Sequence, residues 1–149
     1  MNHRMILVAQ AVLVFGVIVL PQVERAARLE QAIARGRMVE NAYILEAAAE
    51  RYAEADGGLY ASAVHILRWF LPAGQQLVNP VTRAATEPVD GQASSSGQLG
   101  YTPISAQGYD VGYTITVFGA DQTQGPAGDG IMLVIQKITD PPSPPMRER

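Results

Sequence analysis

Few side chains in this 149-residue sequence could do covalent chemistry, and their surroundings decide what kind. The only two histidines are His3, in a short positive flank, and His65, inside "ASAVHILRWF" (Ala61 to Phe70). A general base needs a nucleophile or an orienting group within hydrogen-bond reach, and no recognisable spacing gives either histidine one. His65 therefore reads as a packed or half-exposed helix residue. Ser94, Ser95 and Ser96 cluster in "ASSSG" with no base beside them, which describes a flexible loop better than a nucleophile. Asp121 and Asp129 flank the Gly-rich run "GADQTQGPAGDG", the oxygen-rich texture that calcium favours. Two carboxylates are few for that ion, and the same run also fits a plain hairpin connection. With no cysteine, the chain has no disulfide, no thiolate nucleophile and no Cys-ligated zinc, and it carries no P-loop, GxGxxG or histidine ligand spacing. The expectation is a protein that is not an enzyme and needs no cofactor, with Asp121 and Asp129 its one calcium candidate.

Charge narrows the partners. A net charge of −3 provides no basic field for phosphate neutralisation, so nucleic acid is not an expected partner. The length suits one globular domain and leaves little room for a second core.

The elements that would position these residues begin with "MILVAQAVLVFGVIVL", Met5 to Leu20, behind the His3 and Arg4 flank. Its apolar side chains, Met5, Ile6, Leu7, Val8, Val12, Leu13, Val14, Phe15, Val17, Ile18, Val19 and Leu20, occupy the whole helix circumference. Such a helix is buried on all sides or sits in lipid. The run is shorter than the roughly 20 residues of a usual span, so a secretory signal, a short membrane anchor and a buried helix compete. Helical composition continues straight past it, which argues against cleavage there. Pro21 removes a backbone donor within this helix and predicts a kink.

From Gln22 to Asp56 the residues are mostly Ala, Glu, Arg, Leu and Gln, with one Gly and no Pro, and a long helix is predicted. Met38, Ala42, Leu45, Ala49 and Tyr52 recur at alternating steps of four and three, one stripe that must be covered. Asp56 to Gly58, "DGG", supplies the stop. From Met5 to Asp56 such a rod would be roughly 80 Å long at about 1.5 Å per residue. A compact chain of this size has a radius of gyration near about 15 Å, so the N-terminal half is expected to protrude.

"LYASAVHILRWFLP" reads as a short second helix or wrapped turn, with Ile66, Trp69 and Phe70 packing on the domain. A loop-rich stretch follows to Gly97. "QLGYTPIS" (Gln98 to Ser105), "GYTITVFG" (Gly112 to Gly119) and "GIMLVIQKI" (Gly130 to Ile138) are rich in β-branched and aromatic residues and predict three antiparallel strands. The closing "PPSPPMRER" reads as an extended, polyproline-like tail. The fold class is α+β, a long N-terminal helix laid on a small antiparallel sheet. The expected divisions are an apolar helix half at 1–27, a globular head at 28–140 and the Pro-rich tail at 141–149.

The apolar run ending in Pro21, the helix continuing to "RYAEADGGLYA", the "LPAGQQLVNPVT" turn and "LGYTP…GYTITVFGAD" before a last strand resemble the type IV pilins and the related pseudopilins of type II secretion. The likeness rests on order and spacing over nearly the whole chain. It implies a structural subunit that sits in the inner membrane through Met5 to Leu20 and then packs that helix into a homo-oligomeric, helical extracellular filament. A pseudopilin, or an envelope binding domain anchored by Met5 to Leu20 that never polymerises, is the alternative. The family's Gly before the apolar run and Glu at the fifth mature position have no counterpart here: residues 4 and 5 are Arg4 and Met5, and the first acid is Glu24. Major pseudopilins hold calcium in the region corresponding to Asp121 and Asp129.

The long helix is also charge-polarised. Arg25, Arg28, Arg35 and Arg37 outnumber the acids in its middle, whereas Glu40, Glu46, Glu50, Glu54 and Asp56 face only Arg51 towards its end. Like charges four residues apart repel weakly within one helix. Among parallel, staggered helices Arg28 and Arg35 would instead face Glu46 and Glu50 of a neighbour.

Overall fold

The helix α1, His3–Ala55, runs through both Pro21 and Gly36, and from Gln22 onward it is built of strong helix formers. The computed structural model describes residues 3–72, 75–86, 88–119 and 130–141, with residues 3–22 given as helical backbone alone. The side chains of Met5 to Leu20 and of Pro21, the loop aspartates Asp121 and Asp129, and the tail from 142 onward lie outside that description. Among the described residues no helix is long and apolar enough to cross a membrane. The chain divides into two compact units, Met1–Ala34 and Arg35–Arg149.

In the first unit, the described side chains from Val23 onward are nearly all solvent-exposed, apolar ones included: Val23 is 60%, Leu29 62% and Ile33 51% exposed. Its ion pair joins Arg28 to Glu24 one turn earlier, at 3.7 Å, with both side chains in solvent.

In the second unit the burial of α1 begins abruptly at Met38 and continues through Asn41, Ala42, Leu45, Ala48, Ala49 and Ala53. Four alanines on this face keep it flat, so the helix backbone can lie close to the layer beneath. The helix ends where the glycines allow it. Gly57 and Gly58 take positive φ, and the Gly58 N–H returns to the Ala53 carbonyl at 2.7 Å, closing the last turn in a Schellman arrangement.

After α1 come a single helical turn α2, Val64–Leu67, and a 3₁₀ turn, Arg68–Phe70. Trp69, expected to pack on the domain, is 81% exposed, while its neighbour Phe70 sets its ring edge against Tyr52 at 5.3 Å. The turn points Trp69 outward and the next aromatic, Phe70, against Tyr52, and both members of that pair are half-buried.

The sheet has four strands in the order β1-β2-β3-β4, with β1 at Val89–Asp90, β2 at Leu99–Ala106, β3 at Tyr109–Phe118 and β4 at Ile131–Ile138. The three antiparallel strands expected from composition are β2, β3 and β4, and β3 starts three residues earlier than expected. The correction is β1, two residues pairing parallel to β2, which makes the sheet mixed. Two residues between turn signals carry no periodicity of their own, so only the tertiary contact defines this strand. On one face Leu99, Tyr101, Val111, Tyr113, Ile115 and Val117 are buried and alternate as the pleat requires. On the other, Ala93, Phe118 and Ile131 form a small separate cluster. Gly100 lets that covering loop cross the sheet, because a Cβ there would collide with the Ala93 nitrogen and the Gly91 carbonyl.

Candidate functional site

Two tyrosines, Tyr113 of the sheet and Tyr60 on its approach, converge on one carboxylate of α1, and a third, Tyr101, stacks beside them. Tyr113, fully buried in the middle of β3, donates its phenolic hydrogen to Glu50 Oε1 at 2.7 Å. Tyr60 reaches the same oxygen at 3.5 Å, and Lys137 of β4 pairs with Glu50 Oε2. The Tyr60 ring meets Tyr113 edge-on at 5.0 Å, and Tyr101 stacks on Tyr113 at 5.9 Å with an interplanar angle of 21°. Tyr101 in turn donates to the Ala61 carbonyl at 2.9 Å. A buried phenol needs a partner for its hydroxyl, and each of these three has one.

The electrostatics follow from that arrangement. Burial first, then the hydrogen bond to Glu50 and its negative charge, push the Tyr113 phenol well above its ordinary range. Burial does the same to Tyr101. Lys137 is held protonated to higher pH, chiefly by its bond to Glu50. Tyr113, Tyr101 and Lys137 therefore hold their protons more tightly than free side chains do, and their bonds tie α1 to the sheet.

Glu50, expected to face a neighbouring chain, is 31% exposed and bonds within its own chain to Tyr113 and Lys137. Glu46, one turn earlier, is half-buried, and Arg35 has an interaction of its own. His65 is exposed on α2. Ser94 and Ser95 serve a turn, their backbone N–H groups both donating to Gln98 Oε1, at 2.9 and 3.2 Å. Among the described residues no three His, Cys, Asp or Glu side chains group as metal ligands.

A cavity of about 310 Å³ opens beside α2. Leu45, Leu67, Leu71 and Leu77 form its apolar wall, and His65, Arg68, Gln75 and Gln76 bring polar groups to it. The loop on its far side is shaped by Asn79, whose Oδ1 accepts from Val81 and Thr82 N–H at 2.9 and 3.1 Å while its Nδ2 donates to the Ser96 carbonyl at 2.8 Å. Asn41 of α1 holds the same loop by donating to the Val78 carbonyl at 2.9 Å.

Sequence reasoning did not foresee the tyrosine cluster. Its signal was available in two places: Tyr101 and Tyr113 occupy inward positions of their strands, and Glu50 follows directly on the buried Ala49. The Asn79-Pro80 pair likewise announced a side-chain-bonded turn. Compared with known proteins, the chain matches no family model, no curated protein and no solved structure.

Proposed function

We propose that this chain is the structural subunit of a type IV pilus-like filament, held in the inner membrane before assembly and packed through the apolar part of α1 afterwards. The observation that carries this reading is the contrast along a single 53-residue helix. From Met38 one stripe of its apolar side chains, Met38, Ala42, Leu45, Ala49 and Ala53, is buried in the sheet-bearing unit while Tyr43 stays exposed, whereas Val23, Leu29 and Ile33 all stand in solvent. Exposed apolar residues on this helix, following in sequence the uncharged run Met5 to Leu20, with Leu29 and Ile33 one turn apart on the same side, are a surface that other helices or lipid would cover. Arg28 and Arg35 are the basic side of the proposed contact between chains and Glu46 and Glu50 the acidic side, a contact that would compete with the pairs Arg28–Glu24 and Glu50–Lys137 within the chain.

The competing reading is a membrane-anchored binding head that never polymerises, favoured by the cavity beside α2. Electron microscopy of sheared surface material, with mass spectrometry of the chain in it, separates the two. Regular filaments containing the chain are expected. Val14→Asp should abolish them, because an unpaired charge in a packed helical core costs several kcal/mol. Normal filaments with Asp at position 14 would refute assembly through this helix.

A further inference from the structure

The two edges of the sheet are built differently. Beyond the two residues of β1, the outer edge of β2 carries Pro103, whose missing N–H faces away from β3. A short neighbour and an outward proline are the usual devices against strand addition. The other edge, β4, has neither. Its eight residues contain no proline, and among the described residues β3 is its one strand neighbour.

The register identifies which backbone groups of β4 are unused. The Thr139 N–H donates to the Val111 carbonyl at 2.8 Å, and the β3–β4 pairing runs without a shift from Gly112↔Ile138 to Val117↔Leu133. In an antiparallel ladder hydrogen-bonded pairs alternate with non-bonded ones. Lys137, Ile135 and Leu133 therefore bond to β3, and Ile138, Gln136 and Val134 turn their N–H and C=O groups outward. The side chains of the same three residues lie on the sheet face away from α1. Val134 is 54% and Ile138 60% exposed.

We propose that β4 is a self-association edge, and that a second copy of this chain adds its own β4 antiparallel, with the two-fold axis at Gln136. The sequence Val134-Ile135-Gln136-Lys137-Ile138 is complementary to itself in that register. Gln136 meets the partner's Gln136, and Val134 meets the partner's Ile138 on both sides of the axis. Every outward N–H then faces an outward carbonyl, and the exposed apolar side chains cover one another across the strands. Charge favours this occupant as well. Lys137 lies on the opposite face, is already paired with Glu50, and would stand opposite the partner's Ile135, so no like charges meet. The pairing does not depend on the filament reading, because it uses only the sheet.

The absence of cysteine makes the test direct. In the full-length chain, Gln136→Cys places two thiols at the axis, where Cα atoms of a bonded antiparallel pair lie about 5.5 Å apart, inside the usual disulfide range. Mild oxidation should give a covalent dimer at least about ten times faster than Thr102→Cys, an exposed position on β2. Adding Val134→Pro, which removes an outward N–H and leaves the β3 ladder intact, should return the rate to that of the control with an unchanged circular dichroism spectrum. Should that proline unfold the sheet, Ile138→Lys is the second disrupting variant, acting on a side chain and not on the backbone. Equal rates for Gln136→Cys and Thr102→Cys, or fast cross-linking that survives a folded disrupting variant, would overturn the proposal.

Discussion

Glu50 and Tyr113 carry more of the link between helix and sheet than their neighbours do, because their bond joins a carboxylate to a buried hydroxyl. Tyr113→Phe leaves the ring packing in place and removes that bond, which should lower unfolding free energy by about 1–3 kcal/mol in urea titrations. Tyr109→Phe, at an exposed phenol on the same strand, should stay within about 0.5 kcal/mol of the parent. The pH dependence has a definite sign. Tyr113, Tyr101 and Lys137 hold their protons more tightly when folded, so the stability they contribute is full below the unfolded tyrosine value of 10.0 and is lost as pH rises above it. Urea midpoints measured between about pH 8 and pH 11 should be level at first and then fall, with a shallower fall in Tyr113→Phe. The inward strand positions of Tyr101 and Tyr113 were legible, but their partner was not, since Glu50 looks like any other acid in a run of Glu46, Glu50 and Glu54. Its partners are 10, 63 and 87 positions away in the chain, and only the fold brings them together.

The elements themselves were largely readable, because each has a period. The steps of four and three that marked Met38, Ala42, Leu45 and Ala49 pick out side chains that the structure buries, and the three long strands were visible from their β-branched and aromatic residues. Legibility failed where elements were short. β1 has two residues and α2 four, too few to show any period, and Trp69 was misplaced because a single helical turn cannot reveal which side faces inward. The consequence for substitution is sharp. Ala49→Leu should cost about 1–3 kcal/mol, since it wedges extra methylenes between α1 and the sheet. Trp69→Ala, despite removing a far larger side chain, should change the thermal midpoint little. Differential scanning calorimetry of the two variants compares them directly.

For the molecule as a whole, the division after Ala34 predicts a clean truncation. A chain starting at about residue 28 keeps every described buried residue of α1 and should unfold in one cooperative transition by circular dichroism. A broad, non-cooperative melt would show that the removed part belongs to the head's core. A different property follows from a bond at the start of α2. That turn has no capping side chain of its own, and the Val64 N–H is met instead by Asp90 of β1, 26 residues further on, at 2.7 Å. A helix capped from so far away cannot nucleate locally; it must wait for the intervening loop to close. The predicted order is that β1 docks on β2 before α2 forms. Asp90→Ala should accelerate unfolding in stopped-flow experiments while leaving the refolding rate almost unchanged, the signature of an interaction absent from the transition state.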